Sequence, residues 1–117
     1  MCASLYAVDG DTIKCNGQKM RDMGDGQPFV SGYDTPEIWS RECTAELELA
    51  RKAKKRMGQL LKAPGTQIYD SGKWDDMPDS RPLVWVVLAT GETVGHRLIA
   101  EGLARPWTPD YVADWCS

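Results

Sequence analysis

Three short strand-like runs, a long amphipathic helix, two further strands and a second helix, in the order β-β-β-α-β-β-α, predict a small α+β domain. Three observations carry that prediction. The turn dipeptides Asp9-Gly10 and Asn16-Gly17 separate apolar or β-branched runs, apolar residues recur at helical spacing between Thr44 and Leu61, and Leu83 to Ala89 is an unbroken apolar run. The chain has 117 residues, a length that fills one core, so residues 1–117 are expected to form a single domain.

Ser4 to Val8 and Thr12 to Cys15 flank Asp9-Gly10-Asp11, which reads as strand, tight turn, strand. After the Asn16-Gly17 turn a third strand starts at Gln18 to Met20. The glycine-rich stretch Asp22 to Pro28 interrupts it, and it is expected to resume over Phe29 to Tyr33. Pro36 disfavours helical geometry at Thr35 and removes a donor, so the chain turns there. Leu47, Ala50, Ala53, Met57, Leu60 and Leu61 then mark a helix from Thr44 to Leu61, with Thr44 as its expected cap and Pro64-Gly65 as its stop. Gln67 to Tyr69 reads as a strand, Asp70 to Pro82 as a polar loop, and Leu83 to Ala89 as a strand buried on both faces. Thr90-Gly91 leads to a shorter helix over Val94 to Ala104, and the tail from Pro106 to Ser117 is expected to pack across the surface. Five such strands can close into a barrel of the oligonucleotide-binding type, with helices plugging an end.

Seventeen acidic against 14 basic residues give a net charge of −3, and no apolar run approaches the roughly 20 residues that cross a bilayer. That balance argues against a protein that coats nucleic acid by bulk charge. The total hides an asymmetry. Arg51, Lys52, Lys54, Lys55, Arg56 and Lys62 make one segment +6, and the remaining 8 basic and 17 acidic residues give −9. The basic run reads as a solvated helix face. Cys2, Cys15, Cys43 and Cys116 lack the spacing of a zinc site, and the chain has one histidine, His96. Two disulfides in an oxidising compartment fit better than four buried thiols in a cytosolic protein. Of the three pairings, Cys43–Cys116 with Cys2–Cys15 is preferred. The expected location is therefore secreted or periplasmic, with the export leader absent from a chain that begins Met1-Cys2-Ala3 at a strand.

Part of the acid lies in short turn motifs that a barrel can gather. Asp11 follows the first hairpin turn and Asp34 follows a strand end, and hard cations such as Ca²⁺ take carboxylate, carbonyl and water oxygens. Glu37, three residues beyond Asp34, is placed to deprotonate or orient a water beside such an ion. For a phosphodiester substrate, the charge developing on phosphorus calls for guanidinium donors, and Arg21 and Arg81 are the candidates. Taken one at a time these residues also read as turn formers, a capping pair and loop-end charges.

Taken together and in order, they resemble a known family. Val8-Asp9-Gly10-Asp11-Thr12-Ile13, Tyr33-Asp34-Thr35-Pro36-Glu37, Arg81 before an apolar strand, and Leu98 to Ala104 are similar to the staphylococcal nuclease (thermonuclease) family, over roughly Leu5 to Trp107. The resemblance implies an oligonucleotide-binding-type barrel that hydrolyses DNA and RNA with Ca²⁺. It implies a metal held by Asp11, Asp34 and the Thr35 carbonyl, Glu37 activating or placing the attacking water, and Arg81 stabilising the phosphorane and leaving group.

The chain also departs from the family pattern. A second arginine belongs five residues before the Asp34 position, where this chain has Phe29; Arg21 takes that role if the eight extra residues form a loop after it. That insertion brings Asp22 and Asp25 near the expected site, as an added ligand or a repulsion for phosphate. Before Arg81 the chain reads Met77-Pro78-Asp79-Ser80, without the family's pocket tyrosine. Trp107 and Tyr111 remain as candidate base-stacking groups, against ordinary tail packing. The expected protein is a monomeric nuclease acting on DNA or RNA, with no membrane role. Its arginines and a bound divalent ion, rather than overall basicity, hold the phosphate. The alternatives are a catalytically impaired binding module on the same barrel and a disulfide-stabilised scaffold.

Overall fold

Residues 2–116 are described by a computed structural model. Strands β1 (Leu5–Ala7), β2 (Thr12–Cys15) and β3 (Gln18–Asp22) form an antiparallel meander through the two turns read from the sequence. Asn16 and Gly17 both have positive φ, 51° and 85°, as the tight hairpin turn requires. Strand β4 (Gly32–Asp34) leads to helix α1 (Thr44–Leu61), strands β5 (Gln67–Trp74) and β6 (Pro82–Val87), helix α2 (Val94–Ala100) and strand β7 (Arg105–Trp107). The result is α+β: a mixed five-stranded sheet in the order β1-β2-β3-β6-β5, a two-stranded ribbon of β4 and β7, and two helices. Among the described residues no helix is long and apolar enough to cross a membrane.

Several boundaries differ from the sequence reading. The third strand does not resume at Phe29, whose φ of 65° is incompatible with a strand; β4 starts at Gly32. Met23 to Ser31 instead form a loop, closed by Gly26 N–H on the Met23 carbonyl and pinned by Trp85 Nε1 on the Gly26 carbonyl. Helix α1 is capped by Cys43 rather than Thr44, its Sγ accepting from Glu46 N–H. Strand β5 continues through the expected loop to Trp74, and α2 ends at Ala100 rather than Ala104. The tail does not merely lie on the surface. Asp34 pairs with Arg105, Tyr33 with Pro106 and Gly32 with Trp107, so β7 builds the second ribbon.

Both disulfides have the preferred pairing. Cys2–Cys15 ties the chain before β1 to the end of β2, and Cys43–Cys116 ties the cap of α1 to the tail.

The helices bury their apolar faces against the five-stranded sheet. Ile13, Tyr33, Met57, Val84, Val86 and Leu98 are essentially withdrawn from water. Glycine is required where the β1–β2 turn meets α1: a Cβ on Gly10 would stand 2.6 Å from Thr35 Cγ2 and 2.9 Å from Ala53 Cβ.

One carboxylate sits inside this core. Asp22, fully buried, accepts from Val86 N–H at 3.0 Å and Gly24 N–H at 3.2 Å, and its Oδ2 lies 2.8 Å from Tyr33 Oη. Tyr33 has one hydroxyl proton and a second acceptor in reach, the Gly10 carbonyl at 3.0 Å. A protonated Asp22 satisfies the whole set, donating to Tyr33 Oη while Tyr33 donates to Gly10. Burial accordingly pushes the Asp22 carboxyl up to about 6, against the bonds from Tyr33, Val86 and Gly24 that favour the charged form.

The folded carboxyl thus keeps its proton to about 6, whereas an unfolded one releases it near 3.8. The folded state binds more protons in that window, so this group's contribution to stability falls as pH rises through it. Asp22→Asn preserves the acceptor and supplies a donor to Tyr33, and should remove that part of the slope in urea melts from about pH 4 to 7. Asp22→Ala should instead cost about 3 kcal/mol by leaving the Val86 and Gly24 N–H donors unmatched. An unchanged slope in the Asn variant would refute the assignment.

Candidate functional site

The first hairpin turn, the exit of β4 and the start of β6 meet at one end of the sheet. In the turn, Asp9 Oδ1 accepts from Asp11 N–H at 3.0 Å and Thr12 N–H at 2.8 Å, which aims the neighbouring Asp11 inward. Asp11 is buried and bracketed by two guanidinium groups. Arg21, across the ladder from Thr12, brings Nη2 to 3.4 Å from Asp11 Oδ2. The same nitrogen donates to the Tyr33 carbonyl at 2.6 Å. Arg81 reaches Asp11 through Thr12: its Nη1 donates to Thr12 Oγ1 at 2.9 Å, and that hydroxyl donates to Asp11 Oδ1 at 3.1 Å. Asp75 orients Arg81 with a 2.8 Å bond to Nε and a 3.0 Å bond to its backbone N–H.

The titration of the carboxyls follows from this arrangement. Burial alone would raise Asp11, but the Arg21 charge, the bond with Asp9 and the Arg81 charge hold it below the ordinary carboxylate range. Asp9 takes the opposite shift, pushed up to about 8 by burial and by the Asp11 charge, so the pair carries one proton. Asp34 is raised by burial and by Asp11, against donors from Trp115 Nε1 at 3.1 Å and Tyr111 Oη at 3.0 Å, both on Oδ2. Glu37 is raised by lost hydration and then by the charges of Asp11 and Asp34. Asp11, Asp34, Glu37 and Arg21 therefore act on one another's charge.

Arg21 sits on β3 and the chain loops out after it over Met23 to Ser31, so it stands beside Asp11 from thirteen residues before Asp34. Thr35 is buried beside Gly10. Trp107 lines a pocket of about 280 Å³ that opens onto both arginines and is also walled by Phe29, Met77 and Leu83. Tyr111 is held on Asp34 instead. Asp22 lines the inner wall of that pocket with its carboxyl turned to core partners, and Asp25 is tied to Thr93 Oγ1 and His96 Nδ1 at 2.8 and 3.0 Å.

Three contributors went unread in the sequence. Thr12 relays Arg81 to Asp11. Trp115 donates to Asp34 while Arg105 stacks on its ring, 3.9 Å from the centroid. Glu46, nearly buried in the first turn of α1, accepts from Glu37 N–H at 2.9 Å and Glu42 N–H at 2.8 Å, fastening the Glu37 loop to the helix. Glu46 stands three residues after the cap Cys43, and this capping-box spacing was its available signal.

The donors that Asp11, Asp34 and the Thr35 carbonyl offer are all oxygen, the kind a hard cation takes. Among the described residues, no three acidic, histidine or cysteine side chains form a ready metal cluster. In comparisons with known proteins, no family model matches this chain and no match to a curated protein is found.

Replacing Glu46 by Ala should cost about 2 kcal/mol in urea unfolding, because two backbone donors lose a carboxylate acceptor. A loss below about 0.5 kcal/mol would mean that water replaces it fully. Removing Cys43–Cys116 with paired serine substitutions should cost about 2 to 4 kcal/mol. It should also loosen the tail, which hydrogen exchange at Trp115 would report; unchanged exchange would show that β7 and the Asp34 bonds hold the tail unaided.

Proposed function

We propose that this protein is a Ca²⁺-dependent nuclease of the staphylococcal type, hydrolysing phosphodiester bonds of DNA or RNA on an oligonucleotide-binding-type barrel. The observation that carries the reading is the pairing of a shared acid field, Asp11, Asp34 and Glu37, with two arginines that open onto one pocket. The two disulfides support a secreted or periplasmic location.

In this reading Asp11, Asp34 and the Thr35 carbonyl would hold the calcium, which would supply electrophilic polarisation of the phosphate. Arg21 and Arg81 donate to the phosphoryl oxygens, where their planar forks match the charge that builds on the phosphorane. Glu37 takes a proton from the attacking water, and its raised affinity for protons brings it closer to the strength a base needs near neutrality. Glu46 positions Glu37 through the backbone N–H. A base in the pocket stacks on Trp107.

The second reading is an impaired binding module, favoured by the tail donors on Asp34 and by the Asp75 bonds on Arg81, which already occupy groups the chemistry needs.

Single-stranded DNA and RNA cleavage in Ca²⁺ separates the two. Glu37→Gln should lower kcat by about 100-fold or more with thermal stability unchanged, and EGTA should abolish turnover. Because the active form of Glu37 is ionised, kcat should rise with pH as Glu37 loses its proton, and that rise should vanish in the variant. Cleavage indifferent to both EGTA and the substitution would refute the mechanism, and binding without any cleavage would select the module.

A further inference from the structure

The chemistry above uses none of the positive charge on α1, the most basic segment of an otherwise acidic chain. Among the described residues its ion pair is Arg56 with Glu101 at 2.8 Å, and no carboxylate is paired with Arg51, Lys52, Lys54, Lys55 or Lys62. Arg51, Lys54, Lys55 and Lys62 recur at helical spacing, so they share one face, where like charges three and four apart repel. A solvated basic face ordinarily relieves that repulsion with interleaved acids; this one has none between Arg51 and Lys62.

The face is also concave. Its four cations rim a groove of about 310 Å³ whose other wall is the edge strand β1, through Leu5, Tyr6 and Ala7. The Tyr6 ring is about half exposed, 49%, beside the lysines. Gly58 also lines the groove, and a Cβ there would meet nothing within 4 Å. Packing therefore does not demand a glycine at Gly58, an unfavourable residue inside a helix, yet its absent side chain keeps the groove open.

The occupant these features fit is a chain of regularly spaced anions with flat apolar groups attached. Arg51 to Lys62 span about 16 Å of helix, enough to face several successive phosphates. Tyr6 offers a sequence-tolerant stacking surface. The groove leads toward the candidate site, since β1 runs directly into the Asp9–Asp11 turn and Gly10 packs on Ala53 of α1. We propose that the α1–β1 groove is a second nucleic-acid site, holding the backbone of a single strand whose other part lies at Arg21 and Arg81. The proposal rests on nucleic acid being the substrate class, but it requires no catalysis.

Binding is therefore measured in EDTA, by fluorescence anisotropy of a labelled single-stranded oligonucleotide of about 15 nucleotides, a length that reaches both sites. Lys54→Gln/Lys55→Gln/Lys62→Gln should weaken binding at least about tenfold and reduce the slope of log K against log salt by about 2, because three phosphates are no longer neutralised. Lys19→Gln/Lys73→Gln, exposed lysines on β3 and β5, should change affinity less than about twofold. Tyr6→Ala should weaken binding several-fold with a smaller change in salt slope. Equal binding by the triple variant and the parent, equal loss in the control pair, or no binding by the parent would overturn the proposal. So would tighter binding to phosphatidylserine vesicles that the triple substitution removes. Cleavage in Ca²⁺ is scored separately. A triple variant that binds normally refutes the groove and leaves the nuclease reading intact; a parent that binds through the lysines but never cleaves does the reverse.

Discussion

The buried Asp22 carboxyl is the point to which the other elements of the candidate site are referred. It accepts from β6 through Val86 and from the glycine loop through Gly24, and it meets Tyr33 on β4. Each partner fixes a neighbour that faces the site. Arg21 precedes Asp22 on β3, Asp34 follows Tyr33 on β4, and Gly10, the other acceptor for Tyr33, precedes Asp11. Strands β3 and β6 pair in parallel through their backbones, and Asp22 adds a side-chain bond across that pairing to Val86 N–H. A polar group in a core is tolerated only when its bonds are made, and that requirement leaves Tyr33 little freedom of position.

Local patterning and long-range bonding divide what could be read beforehand. Helix α1 was legible over its length, with only its cap misplaced by one residue, because apolar spacing is a local property repeated over several turns. The Asn16-Gly17 turn was legible because its backbone demands those residues. Phe29 misled because an aromatic residue beside Val30 suggests a strand, whereas the surrounding loop holds it at positive φ. Strand β7 was hidden because three residues containing a proline form a strand only once β4 is beside them. At the candidate site, Asp11, Asp34 and Glu37 were singled out by short motifs. Thr12, Glu46 and Trp115 were not, since each acts through a bond made by the finished fold.

Charge in this protein is organised by region rather than by total. The acid collected around Asp11 is only partly balanced by Arg21 and Arg81, and the basic excess of α1 stands on a neighbouring face. A net charge of −3 describes neither surface. An anionic polymer approaching the molecule meets a repulsive end and an attractive groove, and its orientation is set by that gradient before any specific bond forms.

The tail has a consequence for the order in which the molecule is assembled. Asp34 receives its donors from residues 77 and 81 positions further along the chain, and Cys116 bonds to Cys43 across a separation of 73. Contacts this distant form only after the intervening chain has been ordered, because loop closure must be met before they contribute. The hairpins of β1, β2 and β3 need no such wait. In a chain emerging from its N-terminus, the first carboxylate of the site is seated early, while the second stays without its indole and phenol until tail and helix cap are joined. Completion of the site is thus among the last events of folding, and it is sealed by an oxidation.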